Sequence, residues 1–91
     1  MNTIRIITTK GCDGCYIAKN LVNKAINSFS EITIKIEYID CLNEDYRTFI
    51  KQYAIKDFPT IIFIKDNNVM SIHTGTMPVP QILHEIKLWF N

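Results

Sequence analysis

Thr3-Ile4-Arg5-Ile6-Ile7-Thr8, then Thr9-Lys10-Gly11-Cys12-Asp13-Gly14-Cys15, then Tyr16-Ile17-Ala18-Lys19-Asn20-Leu21-Val22 reads as strand, turn and helix in immediate succession. The first segment is apolar and β-branched, as strands are. Gly11 and Gly14 bracket the Cys-x-x-Cys as a turn. From Tyr16 onward, Ile17, Ala18, Leu21, Val22, Ala25, Ile26 and Phe29 recur at intervals of three and four. That spacing predicts an amphipathic helix, with Lys19, Asn20, Asn23, Lys24 and Asn27 on its wet side. A thiol pair therefore sits where a strand ends and a helix begins.

Downstream, Thr33–Ile39 alternates Ile34 and Ile36 with Lys35 and Glu37, the pattern of a half-exposed edge strand. Asn43 can cap a second helix with the stripe Tyr46, Phe49, Ile50, Tyr53 and Ala54. Thr60–Lys65 is apolar on both faces and predicts a central strand, and Asp66-Asn67-Asn68 predicts a turn returning Val69–Thr74 antiparallel. Pro78 and Pro80 suit the first turn of a last helix that packs through Val79, Ile82, Leu83, Ile86, Trp89 and Phe90. The order β-α-β-α-β-β-α predicts an α/β fold: a four-stranded mixed sheet with helices on both faces, opened by a parallel β-α-β unit.

Ninety-one residues predict one domain, 1–91, with a single core. Hydrophobic residues make up 47% and charged residues 21%, which argues against disorder. Ten Lys and Arg against nine Asp and Glu leave a net charge of +1 with the signs interspersed, so no footprint for nucleic acid or an anionic membrane is expected. The longest apolar runs, such as Ile61-Ile62-Phe63-Ile64, are too short to span a bilayer. Met1–Ile7 lacks the basic and long apolar regions of a signal peptide, so a cytoplasmic location is expected. A monomer is expected as well.

Three cysteines at 12, 15 and 41 do not match the dense, even set of a small secreted scaffold. The reactive species in disulfide exchange is the thiolate. A helix N-terminus favours it through unpaired N–H groups and the positive end of the dipole. Cys12, the outer residue, is the expected nucleophile, with a depressed pKa that Asp13 opposes by like-charge repulsion. Cys15, inside the first turn, is the expected resolving thiol. Two alternatives stand beside this reading. A structural zinc site needs four ligands, and the only extras, Cys41 and His73, match no zinc spacing. An inert structural disulfide fits poorly with a chain lacking an export signal.

Cys12-Asp13-Gly14-Cys15 followed by Ala18-Lys19 and Leu21-Val22 resembles the active-site helix of glutaredoxins. Asp57-Phe58-Pro59-Thr60-Ile61-Ile62-Phe63-Ile64-Lys65-Asp66-Asn67, running on to Gly75, resembles thioredoxin, as does Tyr38-Ile39-Asp40. Together these identify a thioredoxin/glutaredoxin-like chain of the thioredoxin fold. The resemblance implies that Pro59 is cis and faces the thiols, that the backbone of Phe58 pairs with an extended substrate, and that Gly75 keeps the groove open. Gly11, Asp13 and Gly14 complete the substrate-binding set it implies. Gly11 stands where thioredoxins carry Trp, Asp13-Gly14 where they carry Gly-Pro, and Ile6 where they bury an acid beneath the resolving cysteine. Glutaredoxins carry Thr-Val before the proline and paired glycines with an acid after it; here Asp57-Phe58 and Gly75 alone occupy those places.

The expected function is thioredoxin-like reduction of protein disulfides, recharged by a thioredoxin reductase in preference to glutathione. A glutathione-coupled glutaredoxin and a non-catalytic binding module of the same fold are the alternatives. No metal or bound cofactor is expected, since neither a phosphate-cradling loop nor a dinucleotide fingerprint is present. Cys41 reads as a small apolar filler, with a regulatory thiol as the sharper option. His73 and His84 read as remote from the thiols, and Trp89 as a core anchor.

Overall fold

The computed structural model describes residues 1–91. Strand β1 (Asn2–Thr8) pairs in parallel with β2 (Ile34–Asp40) and antiparallel with β3 (Thr60–Lys65). Strand β4 (Asn68–Thr74) returns antiparallel to β3, for a sheet order of β2-β1-β3-β4. Asp66 and Asn67 have φ of 50° and 69°, the left-handed turn that the Asp-Asn-Asn signal calls for. Helices α1 (Asp13–Ile26) and α3 (Val79–Trp89) lie together on one face and α2 (Arg47–Gln52) on the other. The mixed sheet, the element order and the two covered faces agree with the sequence reading.

Burial follows the period-two alternation of the central strands. Ile4, Ile6, Ile61 and Phe63 point to Ala18, Val22, Ile82, Ile86 and Phe90 in the larger core. Ile7, Ile62 and Ile64 point the other way, joining Ile39 and Ile55 beneath Phe49, Ile50 and Tyr53. Strands covered on both faces have no polar positions to spare, which explains the unbroken apolar run of β3. Strand β2 lies at the sheet edge, with Lys35 exposed between half-buried Ile34 and Ile36.

Three local expectations need correction. Helix α1 begins at Asp13, not Tyr16, so the thiol pair belongs to its first turn. Ile17, placed on the apolar face by spacing, is 50% exposed, because only Cys15, Ala18, Val22 and Ala25 form the fully buried stripe. The second helix is shorter than its stripe suggested. A 3-10 turn at Glu44–Tyr46 leads into six α-helical residues, and Ala54 leaves the helix at φ 50°. Asn43 caps that turn, its side chain accepting from the Asp45 N–H at 3.0 Å.

Trp89 does pack against the larger core, and it also has a polar partner. Its Nε1–H donates to Glu85 Oε1 at 3.1 Å, as do the Ser71 hydroxyl at 2.6 Å and His73 Nε2 at 2.8 Å. The cluster ties β4 to α3 through a carboxylate that the apolar periodicity gave no reason to bury. Burial pushes the Glu85 carboxyl up, but the hydrogen bonds from Ser71, His73 and Trp89, with the His73 charge, hold it below its ordinary 4.5. The unfolded chain therefore binds more protons in that range, and the cluster's stabilisation is lost as pH falls below 4.5 through the lower native value. Glu85→Gln should cost about 1–3 kcal/mol at pH 7. The deficit should shrink steadily in urea titrations taken below pH 4.5. Parallel stability–pH profiles for the two proteins would contradict it.

Candidate redox site

Strand β1 ends at Thr8 and the chain turns through Gly11, whose φ of 67° suits a residue without a Cβ. Cys12 then occupies the N-cap of α1 in an extended conformation, with φ −99° and ψ 99°. Its carbonyl accepts from the N–H groups of Cys15 and Tyr16 at 3.2 and 3.4 Å. Its sulfur takes the place that a capping oxygen ordinarily fills, accepting from the Cys15 N–H at 3.0 Å. Cys12 and Cys15 are joined as a disulfide with their Cα atoms 5.2 Å apart. Cys12 is half-buried, whereas Cys15 is only 6% exposed and continues into the buried stripe of α1. An incoming sulfur meets Cys12 first.

The remaining candidates fall into two groups. Pro59 is buried at the entry to β3, and the Phe58–Pro59 bond is cis. A Cβ on Gly14 would lie 3.4 Å from Pro59 Cδ and 3.9 Å from Thr76 Cγ2, so the proline loop packs directly on the first turn of α1. Gly75, at φ 89°, donates its N–H to the Pro59 carbonyl at 2.7 Å. Gly14, Pro59 and Gly75 thus assemble beside the disulfide. The side chain of Phe58 packs into the α2-side core, while its N–H and C=O take no backbone partner in the chain. Gly11 and Asp13 are exposed on either side of Cys12.

Thr76 is the neighbour that sequence reasoning missed. A loop threonine between Gly75 and the Met77-Pro78 pair carries no periodic or motif signal, and only folding brings it to Gly14. Ile6 is fully buried in the same core as Ala18 and Ile61, so the position that the resemblance assigns to a buried acid is aliphatic.

Cys41 remains a free thiol. It packs against the α2-side core, its S–H directed at Thr9 Oγ1 at 3.5 Å, and lines a cavity of about 230 Å³ with Leu42, Asn43, Glu44 and Arg47. His84 is exposed on α3. Ser71, His73 and Glu85 approach one another, but Ser71 and Glu85 both meet His73 at Nε2. A proton relay needs the two ring nitrogens used separately, so this group is a clasp and not a hydrolytic centre. No three His, Cys, Asp or Glu side chains are grouped to hold a metal ion. No helix is long and apolar enough to cross a membrane.

The thioredoxin family's sequence profile matches residues 7–88, from the end of β1 through nearly all of α3. The chain belongs to the thioredoxin family. No curated protein sequence matches it. Among solved structures it is similar to thioredoxin-2 of the malaria parasite, described as a component of that organism's protein secretion machinery. The identity is 16% and the TM-score 0.79, over 97% of this chain and 82% of that one. It is also similar to oxidised thioredoxin O2 of Arabidopsis thaliana, with 13% identity and a TM-score of 0.76 over 100% and 76%. A thioredoxin-like protein of Clostridium perfringens aligns with 21% identity and a TM-score of 0.84 over 97% and 70%. At such identities these likenesses concern the fold. Family membership together with the Cys12–Cys15 pair supports thioredoxin-like redox function for this member.

Proposed function

We propose that this protein is a dithiol–disulfide oxidoreductase that reduces disulfides in other proteins, working in the cytoplasm and recharged by a flavin-dependent thioredoxin reductase. The observation that carries the proposal is the sulfur of half-buried Cys12, at the N-cap of α1 and 3.0 Å from the Cys15 N–H, paired with a buried second cysteine. In the reduced protein the same N–H and helix dipole favour a Cys12 thiolate. That thiolate attacks one sulfur of a substrate disulfide, an S–S bond forms to Cys12, and the other substrate sulfur leaves as a thiolate. Cys15 then attacks the Cys12 sulfur, the second substrate thiolate leaves, and the protein is left oxidised. Two electrons pass to the substrate. With Ile6 at the position the resemblance assigns to a buried acid, the Cys15 proton passes to a departing thiolate or to water. The unpaired backbone of Phe58 supports docking of an extended substrate beside the pair.

The electron donor follows from the proline side of the site. Asp57-Phe58 and the lone Gly75 offer no paired glycines and acid for the carboxylates of glutathione. Given oxidised protein and NADPH, turnover with thioredoxin reductase is expected to exceed that with glutathione and glutathione reductase by about tenfold or more, some 1.4 kcal/mol in the barrier. The glutaredoxin-like residues Ala18, Lys19, Leu21 and Val22 favour the second arm. Faster turnover there would establish the glutathione-coupled reading, and an inert pair in both arms would leave a binding module.

A further inference from the structure

Seven large apolar side chains are exposed, and five of them are scattered over the sequence: Met1, Tyr38, Leu42, Ile72 and Leu88. Single exposed apolar residues are ordinary on a protein surface. Tyr16 and Ile17 are different, because they are adjacent, 68% and 50% exposed, and lie in the turn that follows Cys12. The Tyr16 N–H donates to the Cys12 carbonyl at 3.4 Å, so Tyr16 stands one helical turn beyond Cys12. Ile17 extends the apolar surface around the helix. Pro59 and Thr76 bound the first turn through Gly14, and Ile17, three residues further on, lies between that side of the helix and Tyr16.

We infer that Tyr16 and Ile17 are specificity-determining residues, forming an apolar shelf that selects protein disulfides whose cysteine is flanked by aliphatic or aromatic side chains. This rests on the redox reading above. The occupant follows from covalent continuity. A partner sulfur bonded to Cys12 brings the residues beside it onto the neighbouring turn, whichever protein supplies them. Tyr16 presents a ring face with a polar tip, and Ile17 a branched aliphatic surface. Burying both against an apolar partner stabilises the encounter, whereas polar flanking residues would be desolvated without a hydrogen-bonding partner.

The test uses two blocked, uncharged pentapeptides as disulfide dimers, one with leucine and phenylalanine beside its cysteine and one with serine and asparagine. Hydroxyethyl disulfide reports reactivity independent of flanking residues. Reduced wild-type protein is expected to attack the apolar peptide about tenfold faster than the polar one. In Y16A/I17A that ratio should fall to within about twofold, while Y16F/I17L should restore it and L88A, on the far helix, should keep it. Alanine is the best helix former, so the double variant keeps α1. A wild-type ratio near unity, or one that survives in Y16A/I17A, overturns the shelf and leaves the redox reading intact. Wild-type protein that reduces none of the three disulfides overturns both.

Discussion

Cys15→Ser protein, reduced and mixed with a disulfide-bearing substrate protein, is expected to accumulate a covalent adduct through Cys12 and to stop there. Attack needs only the Cys12 thiolate at the head of α1, which the serine leaves in place with its N–H. Resolution needs a second sulfur at position 15, and a hydroxyl is far too basic to supply the nucleophile at neutral pH. Cys12→Ser should trap nothing and lower disulfide reduction by about three orders of magnitude or more, the scale on which losing a nucleophile registers. The asymmetry follows from burial: Cys12 is half-buried and Cys15 only 6% exposed, so a large partner cannot reach the latter first. Intact mass measurements and non-reducing gels of the two variants decide the matter. Equal trapping by both would refute the assignment of nucleophile and resolver.

The largest expected loss of stability comes from Phe63→Ala. Phe63 is fully buried at the centre of β3, its ring edge-on to His73 at 5.7 Å and tilted against Phe90 at 5.9 Å. Removing the ring forfeits transfer free energy and leaves a void that strands paired on both sides cannot close, about 3–5 kcal/mol in all. A chain of this length has roughly 5–14 kcal/mol to lose. The urea midpoint should fall by more than about 1 M. Leu42→Ala, at an 81% exposed position, should stay within about 0.5 kcal/mol of wild type. A Phe63→Ala shift as small as that of Leu42→Ala would mean that the α3-side core is not the stabilising unit.

The main errors of the sequence reading were local. Periodicity assigns residues to a face but cannot say how wide the covered stripe is. Ile17 kept the helical interval and still emerged half-exposed, because α3 and the sheet cover only the stripe through Ala18, Val22 and Ala25. The turn residues Gly11 and Gly14 masked the true start of α1, since a cysteine is not an ordinary N-cap. Its sulfur accepts the Cys15 N–H all the same. Glu85 gave no sign of burial, because the donors that make a buried carboxylate tolerable lie on another element, at Ser71 and His73 of β4.

Alternating and doubly apolar runs determined the strands by themselves, because a side chain's face in a strand depends on chain position alone. Helix spacing and the Asp-Asn-Asn turn likewise determined the element order, and the paired cysteines at a strand–helix junction marked the candidate redox site. These are short-range properties, set by φ/ψ preference and local hydrogen bonding. Of the groups beside the disulfide, the resemblance implied Pro59 and Gly75, and tertiary structure alone added Thr76. Thr76, Pro59 and Gly75 reach the first turn of α1 only because β3 and β4 return across the sheet, joined by the Gly75 N–H to Pro59 carbonyl bond. Exposure of Tyr16 and Ile17 was decided in the same way, by which neighbours fail to cover them. Contacts between distant segments depend on how whole faces pack, and a single chain position carries no record of that.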